Sequence, residues 1–180
     1  MISRFIFIFF ILPIACNAEN INCKYPSSFV DEQTAKNENI KSIKWEKHLD
    51  DDSGEHVKKL SIIFNNKDTA IIEHKYCDMY NFEYTFTTKQ QALNKKDIAE
   101  QVVYAFKYSK IQPKFKTKLN TIILNALDSQ GFDAKNSLSI GLPSDQILYN
   151  DNVEYGIEYS PANSNGTAPT LVFYLSIGGI

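Results

Sequence analysis

Arginine is almost missing from this chain: of nineteen basic residues only Arg4 carries a guanidinium, and the other eighteen are lysines. Guanidinium is the preferred group for gripping phosphate, carboxylate and guanine in bidentate fashion. Its scarcity argues against a specific nucleotide site, and no nucleic acid is expected among the partners. Long apolar runs are also missing. The longest, residues 5–12, has eight residues, short of the ~20 that a membrane-spanning helix needs. No membrane span is therefore expected. With only seven glycines and six prolines, the chain has no glycine-rich phosphate loop. It also lacks Gly-x-Ser-x-Gly, Ser-x-x-Lys, His-Glu-x-x-His and Cys-x-x-Cys, the spacings that assemble common nucleophile and metal sites. No cofactor is expected, and a non-catalytic role is favoured over an enzyme.

The first eighteen residues have the three parts of a secretory signal peptide. Arg4 supplies the positive end, residues 5–12 the apolar stretch, and Pro13 the helix break; Cys16-Asn17-Ala18 puts small residues where the peptidase must accept them. The mature chain is expected to begin near Glu19 and to be secreted or periplasmic. A lipid anchor at Cys16 is disfavoured, because Pro13 stands where a lipidation signal wants an aliphatic residue. Cleavage would remove the only arginine and one of three cysteines. It would leave eighteen lysines against twenty-one acidic residues, an excess of three negative charges. The remaining pair, Cys23 and Cys77, is expected to form one disulfide in an oxidising compartment.

Residues 19–180 have the length of one domain, and their hydrophobic periodicity divides them into blocks. Ile43, Trp45, Lys47 and Leu49 alternate with polar neighbours in a first strand. A turn around Asp50–Gly54 leads to a second strand over 57–64. A third follows over 69–76, and a fourth is carried by Phe82, Tyr84 and Phe86. Asn94 is placed to cap a helix with Asp97 three residues on, and Ile98, Val102, Ala105 and Phe106 make its apolar face. Pro113 marks the start of a second helix, whose apolar face includes Phe115, Leu119, Ile123 and Leu127, with Gly131 as the stop. Alternating runs over 153–159 and 171–177 return the chain to strand. The order βββ(β)ααβββ predicts an α+β domain: an antiparallel sheet of six to seven strands with two helices packed on one face. Whether those strands make one sheet or two is left open by the periodicity.

Three groups of residues are chemically suggestive. The first hairpin gathers His48, Asp50, Asp52 and His56, a donor set for a divalent metal. The spacing does not match an EF-hand, because the closing carboxylate position falls on Ser61, and a solvated acidic turn is the plainer reading. The second group is Glu73, His74 and Glu83, which a hydrolase could use for acid–base work. Adjacent residues on a strand point to opposite faces, so Glu73 and His74 do not form a natural dyad, and core packing is favoured. The third is electrostatic, and a solvated face is the plainer reading of such segregated charge. Residues 89–118 hold eight lysines against Asp97 and Glu100, whereas residues 119–180 hold Lys135 alone against six acids. Glu154 and Glu158 share a strand face, with Tyr155 and Tyr159 beside them. Carboxylates steer a basic partner and tyrosines anchor it at low entropic cost. The favoured function is an exported, soluble, non-catalytic protein that binds a protein partner, of the periplasmic inhibitor or immunity type; a basic partner would suit this face. A secreted hydrolase and a structural or adhesion subunit of the cell surface are the alternatives.

Overall fold

A computed structural model describes residue 23 and residues 39–50, 53–109, 116–142 and 153–177. The expected signal peptide, Cys16, Asp52, Pro113 and Phe115 lie outside the described residues.

Alternation of side chains builds four consecutive strands: β1 (Ile40–Leu49), β2 (His56–Phe64), β3 (Thr69–Tyr76) and β4 (Tyr80–Thr87). The turn after β1 closes through Asp50 N–H to Glu55 O and Gly54 N–H to Asp50 O, each 2.8 Å. Gly54 takes a positive φ there (69°), which a residue with a Cβ adopts only under strain. The turn after β2 reaches the left-handed region without a glycine, at Lys67 (φ 70°). Buried Asp68 holds that turn. Its carboxylate accepts from the Asn66 amide (2.7 Å), the Thr88 hydroxyl (3.0 Å) and the Lys89 N–H (2.8 Å).

Two helices follow, α1 (Lys95–Ala105) and α2 (Lys116–Ser129). The expected start of α1 is present. The Asn94 side chain accepts from the Asp97 N–H, and the Asp97 side chain accepts from the Asn94 N–H, both at 3.0 Å. Together they satisfy two backbone donors that a helix start leaves open. At the end of α2 the chain turns at Gly131 (φ 64°), whose N–H bonds Asp128 O at 3.0 Å. Lys95 forms an ion pair with Asp128, joining the two helices.

The last three strands are β5 (Leu138–Gly141), β6 (Val153–Ser160) and β7 (Thr170–Ile177). All seven form one antiparallel sheet in the order β1-β2-β3-β4-β7-β6-β5. The last strand pairs with β4 in an eight-residue register running from Tyr80↔Ile177 to Thr87↔Thr170. That seam makes one sheet of the two strand blocks.

One face of the sheet is the core. Leu60, Ile62, Ile72, Phe82, Tyr84, Phe173 and Leu175 project from it and are buried against Ile98, Val102 and Phe106 of the α1 region and Leu119, Ile123 and Leu127 of α2. Fully burying side chains of this kind stabilises by roughly 1.5–3 kcal/mol each. Rings cross at the helix–sheet boundary, with Phe106 5.0 Å from Phe173 and Phe64 6.0 Å from Tyr104. The α+β expectation, an antiparallel sheet with two helices against one face, is the architecture found.

Cys23 and Cys77 are joined in a disulfide. Such bonds persist in oxidising compartments. Among the described residues no helix is long and apolar enough to cross a membrane.

Candidate functional site: the open face of the sheet

Strand alternation sends the complementary set of side chains to the face away from the helices, and cross-strand register arranges them in rows. One row crosses all seven strands: Glu46, Lys59, Glu73, Glu83, Tyr174, Gly156 and Gly141. A second runs Lys75, Asn81, Ser176, Glu154, and a third Ile71, Thr85, Val172, Glu158. The lysines are confined to one half, where Glu46 and Glu73 stand among them. Lys44, Lys59 and Lys75 stand on β1–β3, while β4, β7 and β6 present Glu83, Glu154 and Glu158 and, among the described residues, no lysine on this face.

Gly156 shapes the acidic half. A Cβ placed there would stand 2.4 Å from the Tyr174 hydroxyl oxygen and 2.6 Å from Ile140 O. Neither approach is possible for a real side chain, so Tyr174 lies across β6 only because residue 156 has none. Glu154 and Glu158 flank Gly156 on the same face, each about 7 Å away along the strand. Glu83 stands directly opposite Tyr174 on the other side. Half-exposed Tyr174 thus shares its face with Glu83, Glu154 and Glu158, its hydroxyl over the glycine between the last two. Glu83 accepts from the Thr85 hydroxyl (3.0 Å), and the Ser176 hydroxyl donates to Asn81 (2.5 Å). Beside them Glu73, Lys75, Asn81, Glu83 and Tyr174 line a shallow groove of about 320 Å³. Ile63 and Ile71 add exposed apolar surface toward β2 and β3.

The four residues expected to bind a partner are divided by the sheet. Glu154 and Glu158 are exposed, but Tyr155 and Tyr159 point into the core at 3% and 1% exposure. Tyr159 bonds inward, donating to Ala134 O at 3.0 Å. The tyrosine that accompanies the two glutamates is Tyr174, contributed by the neighbouring strand. An isolated glycine inside a strand pattern signals close approach by another group, so Gly156 was the cue available in the sequence.

The expected acid–base trio is divided in the same way. Glu73 and Glu83 are cross-strand neighbours on the open face, whereas His74 is fully buried on the core face. The Tyr80 hydroxyl lies 3.1 Å from His74 Nδ1, and the ring meets Phe82 edge-on at 5.0 Å. Desolvation drives the His74 pKa down to about 3, and the Lys58 charge adds to the shift; a hydrogen bond with the Tyr108 backbone opposes it. A histidine neutral throughout the physiological range, and out of reach of solvent, is a packing group rather than a general acid or base at neutral pH.

The suggested metal donors do not converge either. His48 projects to the open face opposite Val57, while His56 turns to the core face, its ring 5.4 Å from Tyr76. The Asp50 carboxylate caps its own turn, accepting from the Ser53 N–H at 3.3 Å. Among the described residues no three His, Cys, Asp or Glu side chains are grouped to hold a metal. Comparison with known protein families, curated proteins and solved structures finds no match for this chain.

Proposed function

We propose that this is an exported, non-catalytic protein of the periplasmic inhibitor or immunity type, which covers a basic region of a protein partner with the acidic half of its open sheet face. The observation that carries the reading is the constellation of Glu83, Glu154 and Glu158 around Tyr174. An exposed aromatic ring on the same face as three glutamates suits a lysine or arginine side chain, which gains charge pairing at its head and cation–π contact over the ring. The Cys23–Cys77 disulfide supports an oxidising compartment. The test is affinity capture from the native cell envelope, comparing wild type with a Glu154→Lys, Glu158→Lys double variant. One partner recovered stoichiometrically by wild type and lost from the variant, with thermal stability unchanged, would support the surface. Equal recovery by both proteins would refute it.

A second reading rests on Glu73 and Glu83, a carboxylate pair facing one another beside a groove. As a hydrolase the protein would lose turnover in a Glu73→Ala, Glu83→Ala variant; activity retained in that variant would end this assignment.

A further inference from the structure

On one side the sheet ends in the ten-residue β1, which pairs with β2 alone among the described strands. An edge strand presents a row of backbone N–H and C=O groups to an incoming strand. From Ser42 to Leu49 the side chains of β1 are exposed, except half-buried Ile43 and Trp45. Lysines on an edge usually discourage pairing. Here a carboxylate stands among them. Glu46 lies on the same open face as Lys44, with Nζ and Oε1 2.5 Å apart, and both side chains are exposed.

The charges of β1 are complementary to those of a second β1. Two identical edges related by a two-fold axis normal to the sheet run antiparallel and keep their open faces on one side. Opposed side chains share a face in such a pair, so the axis must pass through a residue rather than between two. With the axis at Trp45, Lys44 opposes Glu46 of the second copy, and Glu46 opposes Lys44 of the second copy. Ile43 then meets Lys47, and Ser42 meets His48. No like charges face each other. An axis at Lys44 or Lys47 sets two lysines opposite one another, and an axis at Glu46 sets two glutamates opposite. An axis at Ile43 runs the pairing into the register shift between Ile40 and Ser42. Opposite charges directly across two strands stabilise the pair and like charges destabilise it.

We propose that two copies of this chain pair edge to edge through β1, with Trp45 on the two-fold axis and a Lys44–Glu46 ion pair on each side of it. The two seven-stranded sheets become one. The acidic strands β4, β7 and β6 lie beyond β2 and β3 from this edge, so the dimer stands or falls independently of the proposed partner surface.

The test is sedimentation of the mature, disulfide-bonded protein between about 1 and 500 µM, read together with the emission of Trp45, the chain's only tryptophan. Wild type should pass from monomer to dimer, and its emission should change over the same range. Lys44→Glu and Glu46→Lys should each weaken association by about tenfold or more, because two attractive pairs become two repulsive ones. Both positions are exposed, so each variant should melt as wild type does. Mixing the two single variants should restore a dimer, since each then meets its opposite charge, and the Lys44→Glu, Glu46→Lys double variant should dimerise alone. The Glu154→Lys, Glu158→Lys variant should dimerise as wild type does. A wild type that stays monomeric at about 500 µM would overturn the proposal. So would a dimer that survives both single substitutions, or single variants that remain monomeric when mixed.

Discussion

Acidification should weaken this fold through His74 before most of its carboxylates titrate. The ring is fully buried and its pKa is lowered from 6.5 to about 3, first by desolvation and then by the Lys58 charge from the neighbouring strand. In the unfolded chain it takes up a proton near pH 6.5. Between those values the unfolded state binds one more proton than the folded state, so stability falls as pH falls, by about 1.4 kcal/mol per unit. From pH 6.5 to pH 5 the loss assigned to His74 is about 2 kcal/mol, and by pH 3 it reaches about 4 kcal/mol. The assay is urea unfolding of wild type and His74→Gln between pH 7 and pH 4. Glutamine can still accept from the Tyr80 hydroxyl but does not titrate. The variant should be less stable at pH 7 by about 1–3 kcal/mol, through lost packing. Its stability should fall with a shallower slope below pH 6.5. Parallel slopes would refute the argument, as would an NMR titration showing the ring protonated near pH 6 in the folded wild type.

Three further outcomes follow from the packing. Replacing Cys23 and Cys77 with alanine opens a loop of 54 residues and should lower unfolding free energy by about 4 kcal/mol on the chain-entropy relation, measured against the oxidised protein by denaturant melts. Lys67→Gly should raise stability by about 1 kcal/mol, because the lysine sits at φ 70°, where a Cβ is disfavoured; a loss on thermal melting would show that the lysine side chain contributes more than its backbone costs. Gly156→Ala should cost about 1–3 kcal/mol, since the added methyl meets the Ile140 carbonyl oxygen as well as Tyr174. Retention of both wild-type stability and the Tyr174 ring signals in that variant would count against the close approach described.

Local patterns in the sequence determined the elements. Alternation marked β1 to β4, β6 and β7, the Asn94–Asp97 pair marked the start of α1, and Gly131 marked the end of α2. These signals are short-range, because strand pleat, helix period and cap geometry act within a few residues. The predicted order counted a third strand after the helices without placing it, because four-residue β5 is too short to show a period; it is the edge partner of β6. The opposition of Glu73 and His74 was also legible, being a consequence of the pleat alone. Tertiary structure decided the rest. The β4–β7 seam joins residues more than eighty positions apart, and that seam set Glu83 opposite Tyr174. It also settled which face was covered by helices, sending Tyr155 and Tyr159 inward while Glu154 and Glu158 remained outside. Period two says that neighbours point in opposite directions. Only the packing of helices on the sheet says which direction is the core.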